Sequence, residues 1–231
     1  MARYALTDIH GCAQTLKAMV FDQLELQKND ELYVLGDLVN KGPDSKGVID
    51  FILHLQKQQY KIICLRGNHD QMLLQASKKG EKAINLTSAE KELTLESFGI
   101  THFEQLPDKY TTFIKSLPYY LELPDFFLVH AGFDFKQQNI FRDKDAMLNI
   151  RNYKLDCNKI NYKRLLHGHT PNPLHSIKKA VTHQEAKVNL DAGCVYYKNA
   201  AYGNLVAFDL DTQQLFVQQN VDRPYNVARK S

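Results

Sequence analysis

Five short segments constrain this 231-residue chain more than any other feature, because each sets a metal-type ligand beside a glycine at a predicted strand end. They are Asp8-Ile9-His10-Gly11, Gly36-Asp37, Arg66-Gly67-Asn68-His69-Asp70, Val129-His130-Ala131-Gly132 and His167-Gly168-His169-Thr170. The carboxyl ends of neighbouring parallel strands lie side by side, and α/β folds place their ligands there. A glycine beside each ligand permits the tight turn that aims its side chain. One such pair marks a turn more often than a ligand. Five in order predict a shared site.

The elements between them alternate. Arg3–Thr7 reads as a strand and Ala13–Leu26 as a helix, with Leu16, Met19, Val20 and Leu24 at helical spacing. Strands follow at Glu31–Leu35 and Tyr60–Leu65, separated by a helix that starts near Pro43 and carries Val48, Ile49, Ile52, Leu53 and Leu55 to about Gln58. A third helix runs from Asn68 to Ser77, so the first third builds a parallel α/β layer. Between Gly80 and Pro118 the pattern is polar and helical, with breaks at Gly99 and Pro107, and reads as a small helical insertion. From Tyr119 the segments are short and strand-like: Tyr119–Leu123, Phe126–His130, Arg164–His167, Lys187–Leu190, Leu205–Asp209 and Gln214–Gln219. They predict a second sheet, and two packed sheets flanked by helices in one domain over residues 1–231.

Composition narrows the function. At 44% hydrophobic and 24% charged, the chain has the makeup of a globular protein with a sizeable core. Its net charge of +3 comes from scattered lysines, too mild and too dispersed for a nucleic-acid surface. Cys12, Cys64, Cys157 and Cys194 form no CxxC pair or compact framework and read as reduced thiols. The amino terminus runs straight into a strand, without a leader's apolar core. No apolar run approaches the ~20 residues of a membrane span. A soluble cytoplasmic protein with no membrane partner is expected.

A mixture of carboxylate, imidazole and amide ligands suits borderline divalent metals such as manganese, iron or zinc better than magnesium or calcium. In these five segments, extended to Gly36-Asp-Leu-Val-Asn-Lys-Gly-Pro43 and Leu65-Arg-Gly-Asn-His-Asp70, the chain resembles the calcineurin-like metallophosphoesterases, and among them the phosphoprotein phosphatase branch. The resemblance spans most of the chain in family order. It implies an α/β four-layer sandwich, two mixed β-sheets flanked by helices, and a phosphoester hydrolase with two divalent metal ions, manganese first among the choices.

Carried over residue by residue, the resemblance implies that Asp8, His10 and Asp37 hold one metal, and that Asp37, Asn68, His130 and His169 hold the other. Asp37 then bridges. Such a pair binds phosphate oxygens, acidifies a bridging water and holds the hydroxide in line with the leaving group. Arg66 and Arg151 resemble the family's phosphate-binding arginines, whose planar forks meet two oxygens at once. Arg151 also reads as a surface arginine at a helix end. His69 resembles the general acid that protonates the departing oxygen, or else is a packed histidine. Its neighbour Asp70 belongs with the catalytic group.

Two positions depart from the phosphatase pattern. Where the branch carries an aspartate that partners the acid histidine, this chain has Asn40; where it carries an arginine, Lys41. Asn40 is expected to accept a hydrogen bond from His69 but, being uncharged, to support the imidazolium less. Lys41 keeps the charge near phosphate and loses the fork. A slower enzyme follows, or one whose leaving groups need little protonation.

The first reading is a serine/threonine protein phosphatase-like phosphomonoesterase acting on phosphorylated proteins. The second arises because bacterial symmetrical diadenosine tetraphosphatases resemble the chain in the same motifs and also lack that aspartate: a nucleoside diphosphate leaves far more readily than a serine alkoxide. A non-catalytic binding protein on the same fold is a third reading, disfavoured by the complete ligand set.

Pro171 stands where many metallophosphoesterases carry a further histidine, which leaves the first metal an open position. His167, two residues before His169, either lines the site or packs behind it. Cys194, in Asp191-Ala-Gly-Cys194, is either an oxidisable thiol near the rim or a small packed residue. His54, His102, His175 and His183 fall in no motif and read as surface residues.

Overall fold

Strands β1 (Arg3–Leu6), β2 (Glu31–Val34) and β3 (Lys61–Cys64) are short apolar runs that pair in parallel, Leu6 beside Val34 and Val34 beside Cys64. The structure, a computed structural model, describes residues 1–225. Between these strands lie α1 (Ala13–Ala18), continued by one wider π turn over Met19–Gln23, and α2 (Ser45–Lys57). The Asp44 carboxylate caps α2 by accepting the Gly47 amide at 2.7 Å. Val48, Ile49, Ile52 and Leu55 recur at helical spacing and are buried, which fixes the face α2 turns to the sheet. Helix α3 (Asn68–Lys79) follows directly on the third ligand segment.

The region from Gly80 to Pro118 holds α4 (Ser88–Phe98) and α5 (Asp108–Ser116). Thr87 and Glu90 form a reciprocal cap on α4, and left-handed Gly99 ends it. The break expected at Gly99 is therefore a helix end. Phe98 and Tyr110 meet edge to face at 5.0 Å and join the two helices.

Of the six later strands, four form the second sheet: β4 (Tyr120–Glu122), β5 (Phe126–Val129), β6 (Arg164–His167) and β7 (Lys187–Asn189), in that spatial order. The last two, β8 (Asn204–Asp209) and β9 (Leu215–Gln219), return to the first sheet, giving the order β3-β2-β1-β8-β9. β8 lies antiparallel to β1, with Ala5 opposite Phe208. Both sheets are thus mixed. Two short helices that the sequence pattern did not announce, α6 (Lys144–Asn149) and α7 (Leu174–Thr182), flank the second sheet.

The two-residue strand period divides the core. Ala5, Tyr33, Leu35, Phe126, Leu128, Leu166, Val206 and Phe208 share one buried cluster between the sheets. Phe127, Val129 and Leu165, one position out of phase, pack outward on Phe133, Ile140 and Met147. Leu6, Leu32, Val34 and Ile62 face the other way, onto α1 to α5. Among the described residues no helix is long and apolar enough to cross a membrane, and no cysteine is in a disulfide. His54, His102, His175 and His183 are exposed.

Candidate metal centre

The carboxyl ends of β1, β2 and β3 open toward those of β5 and β6, so all five ligand segments meet in one place. Their backbones are unusual. Asp8, His10, Asp37, Asn40, Lys41 and His169 all adopt positive φ, from 49° to 75°. Left-handed backbone is disfavoured for residues with a Cβ and persists where surrounding structure enforces it. Here a net of amide bonds enforces it: Asp8 N donates to Gly36 O at 3.2 Å, His10 N to Asp37 O at 2.9 Å, and Gly168 N to His130 O at 2.8 Å. Gly67 and Gly168 are required for another reason. A Cβ on Gly67 would overlap the Asp37 amide and carboxylate, and one on Gly168 would overlap the Asp8 carboxylate.

The donor atoms converge in two groups that share Asp37. Ligand atoms of His10, Asp37 and His69 lie within 4.8 Å of one another, as do those of Asp37, His130 and His169. Asp37 turns one oxygen to each side, Oδ2 3.4 Å from His10 Nε2 and Oδ1 3.5 Å from His130 Nε2. Asp8 Oδ1 is 3.8 Å from His10 Nε2 and is buried with no hydrogen-bond partner. Asn68 Oδ1 stands 3.0 Å from both His130 Nε2 and His169 Nδ1. The rings of His10 and His130 face backbone carbonyls through Nδ1, at Val39 O (3.2 Å) and Leu35 O (3.0 Å). A carbonyl only accepts, so Nδ1 carries the proton and Nε2 presents its lone pair inward.

Such a crowd of acceptors is unfavourable by itself. Burial, and then the charge of Asp8, hold the Asp37 carboxyl well above the usual carboxylate range. Burial likewise depresses the imidazoles of His10, His69, His130 and His169, keeping them in the neutral form that binds metals. The Lys41 ammonium, 2.9 Å from His10 Nε2, is the nearest positive charge. An orphaned carboxylate oxygen among inward lone pairs fits divalent cations, and no protein group present satisfies it.

Three residues around this set make contacts that the sequence did not specify. Asp70 is fully buried, and its oxygens accept the amides of Gly67 (2.8 Å), Asp37 (3.0 Å) and Leu38 (3.0 Å). Through these bonds it positions the Asp37 loop, a role that the grouping of Asp70 with the catalytic residues did not specify. Arg66 is only 8% exposed; its Nη1 donates to Gln71 Oε1 and the Tyr119 hydroxyl, each at 3.0 Å, and its Nη2 to Lys115 O at 2.7 Å. Those bonds tie the two terminal nitrogens to Gln71 of α3, Lys115 of α5 and Tyr119, while Nε is buried with no hydrogen-bond partner. Asn40 donates where it was expected to accept: Nδ2 gives a hydrogen bond to His69 O at 3.1 Å and faces His69 Nδ1 at 3.5 Å. Its Oδ1 accepts the Thr94 hydroxyl at 3.3 Å. Because His69 O can only accept, the amide orientation is fixed.

Arg151 is exposed and near enough to His169 to depress it. His167 lies behind the centre, buried, with Nδ1 on Gly168 O at 3.2 Å. Cys194 is buried beside Cys12, as a small packed residue. Several contributors were not singled out from sequence. The Thr7 hydroxyl donates to Asp8 Oδ2 at 2.6 Å, and Ser45 Oγ accepts the Asn40 amide at 2.8 Å. Both are local and could have been found beside their motifs. Thr94 and Lys115 come from the helical region, and Tyr119 directly follows it; none gives a local signal.

A family model described as calcineurin-like phosphoesterase matches residues 1–205, and the chain belongs to that family. Membership implies divalent metal ions. A symmetrical bis(5'-nucleosyl)-tetraphosphatase of Pseudomonas fluorescens is 37% identical over 82 residues, 36% of this chain and 27% of that protein. The match thus spans about a quarter of that relative's length. Among solved structures, one provisionally assigned as a diadenosine tetraphosphatase aligns with a TM-score of 0.62 at 20% identity, over 95% of this chain and 93% of that one. A protein serine/threonine phosphatase from Saccharomyces cerevisiae aligns at 0.65 and 12% identity, over 97% of this chain and 81% of that one. Both likenesses concern the fold, two mixed sheets flanked by helices.

Proposed function

We propose that the chain hydrolyses the polyphosphate bridge of dinucleoside polyphosphates of the diadenosine tetraphosphate kind. One observation carries the reading: His69, to which we assign assistance to the leaving group, has no carboxylate hydrogen-bonded to its ring among the described residues. Asn40 offers His69 Nδ1 an N–H, which opposes a second proton on the ring, and burial and Lys41 oppose it further. A poorly supported acid suits a leaving group that departs without protonation, as a nucleoside diphosphate does. The curated relatives support the same choice, as their names give them that activity. The phosphoprotein reading, first from the motifs, has beside them fold likenesses at 12–13% identity.

In this reading Asp8, His10 and Asp37 would hold one divalent cation, and Asp37, Asn68, His130 and His169 another. The two would bind phosphate oxygens and supply an activated water. Manganese suits the mixed donor set, with iron or zinc as alternatives. The chain's own part is positional. Asp70 and Gly67 fix Asp37, while Thr7 and the His169 amide fix the Asp8 carboxylate. Lys41 and Arg151 provide positive charge at the opening.

A panel assay on manganese-loaded protein tests the proposal, comparing diadenosine tetraphosphate, para-nitrophenyl phosphate, a bis-ester and a phosphopeptide. The largest kcat/KM should be on the tetraphosphate. Higher kcat/KM on the phosphopeptide would overturn it.

A further inference from the structure

Beside His169 a cleft of about 360 Å³ runs from the Gly168–Thr170 turn to α7 and the edge strand β7. Its walls carry Arg151, Lys179 and Lys187 against one acid, Glu185, so three cations less one anion leave a formal +2. An edge-strand lysine ordinarily reaches into solvent. Lys187 is instead partly buried, its ammonium 4.3 Å above the Tyr153 ring, and burial lowers its pKa. A cation held partly out of water is stabilised by a compensating anion, and among the described residues exposed Glu185 is the only acid along the cleft. At the floor, His167 Nε2 is buried without a partner while Nδ1 is committed to Gly168 O. Nε2 therefore keeps a lone pair that would repel a bare phosphate oxygen and accept a hydroxyl. Asn189 holds the rim by donating to Thr170 O at 2.7 Å.

The geometry points to a second anion subsite here, one that binds the phosphate groups beyond the scissile one through Lys187, Lys179 and Arg151, with His167 accepting a hydroxyl of the ligand. It rests on the polyphosphate reading and deepens it, because a simple monoester has nothing to place there. Arg151 joins the cleft to the metal centre. A ligand spanning both sites gains attraction from each in one binding event.

The test measures inhibition of para-nitrophenyl phosphate hydrolysis by inorganic tripolyphosphate and by orthophosphate, with manganese in excess. Wild-type protein should bind tripolyphosphate about tenfold more tightly than orthophosphate, and the K179Q/K187Q variant should lose most of that ratio. Its kcat/KM on para-nitrophenyl phosphate should stay within about twofold, and Lys187→Arg should keep the tripolyphosphate preference. Calorimetric titration of tripolyphosphate, with circular dichroism as a check on folding, gives a readout apart from turnover. Equal affinity for the two anions in the wild type, or an unchanged ratio in the double variant, would overturn the subsite. Failure to cleave diadenosine tetraphosphate would overturn the substrate reading alone, since neither tripolyphosphate measurement uses that compound.

Discussion

Gly168, after β6 of the second sheet, abuts Asp8, after β1 of the first, so closely that a methyl group on its α-carbon would overlap the carboxylate Oδ2. The same oxygen accepts the Thr7 hydroxyl and the His169 amide. Gly168→Ala must therefore push Asp8 out of line or part the sheets. The variant should lose metal-dependent turnover of para-nitrophenyl phosphate and about 1–3 kcal/mol of stability, read by urea unfolding. Retention of both would show that the contact yields cheaply.

Asp70 sustains the other side of the centre. Asp70→Ala leaves the amides of Gly67, Asp37 and Leu38 without their acceptor, a loss of about 2–4 kcal/mol in thermal or denaturant unfolding. Metal affinity should fall with it. Asp70→Asn, keeping one acceptor oxygen, should fall between.

Cation binding should relieve the crowding around Asp37. Manganese at a hundred times its dissociation constant should stabilise chelator-treated protein by about 2.7 kcal/mol per site. Asp37→Ala should abolish most of that gain and the hydrolysis with it. A melting curve indifferent to metal would remove the basis for both proposed sites.

Asn40→Asp replaces an N–H donor beside His69 with an acceptor. The histidine should bind a proton more readily, and hydrolysis of alkyl phosphoesters should rise more than that of aryl esters, whose leaving groups need less help. Part of the gain is lost because the aspartate cannot donate to His69 O. Equal changes on both ester types would argue against acid assistance by His69.

Asp50, on α2, accepts from Lys46, and from Lys109 and Tyr110 of α5. Burial pushes its carboxyl up, but hydrogen bonds from Lys109 and Lys46 outweigh this and hold it below the usual carboxylate range. A depressed carboxylate stabilises the fold above the unfolded value, and the contribution disappears as pH falls through the lower folded one. Asp50→Asn should cost about 0.5–1 kcal/mol at neutral pH, less at high salt and nothing below the folded pKa. Unfolding at several pH values checks the trend.

The first sheet was legible because β1, β2 and β3 are apolar runs, each followed within a few residues by its own ligand. That the five ligand segments would meet was readable from strand ends, while the choice of Asp8, His10, Asp37, Asn68, His130 and His169 among their residues came from the family resemblance. What stayed hidden depends on distant partners. β8 and β9 have the composition of second-sheet strands, and only pairing across some 200 residues sends β8 to β1, with β9 following on β8. The orientation of the Asn40 side chain is decided by His69 O, 29 residues away, with Thr94 on its other side, and that of Arg66 by Lys115 and Tyr119. α6 is too short to declare a period, and neither it nor α7 begins with a capping box.

The six left-handed residues bear on whether such a centre could be moved elsewhere. Placing the same aspartates, histidines and asparagine on the strand ends of another α/β scaffold would not reproduce it, because ordinary strand-to-loop turns would point those side chains along other directions. The portable unit is the backbone of the turns, glycines and amide net included. A graft should copy that path first and tolerate exchanges among ligand types afterwards, with Asn and Asp, which accept the left-handed region best, as the natural first substitutes.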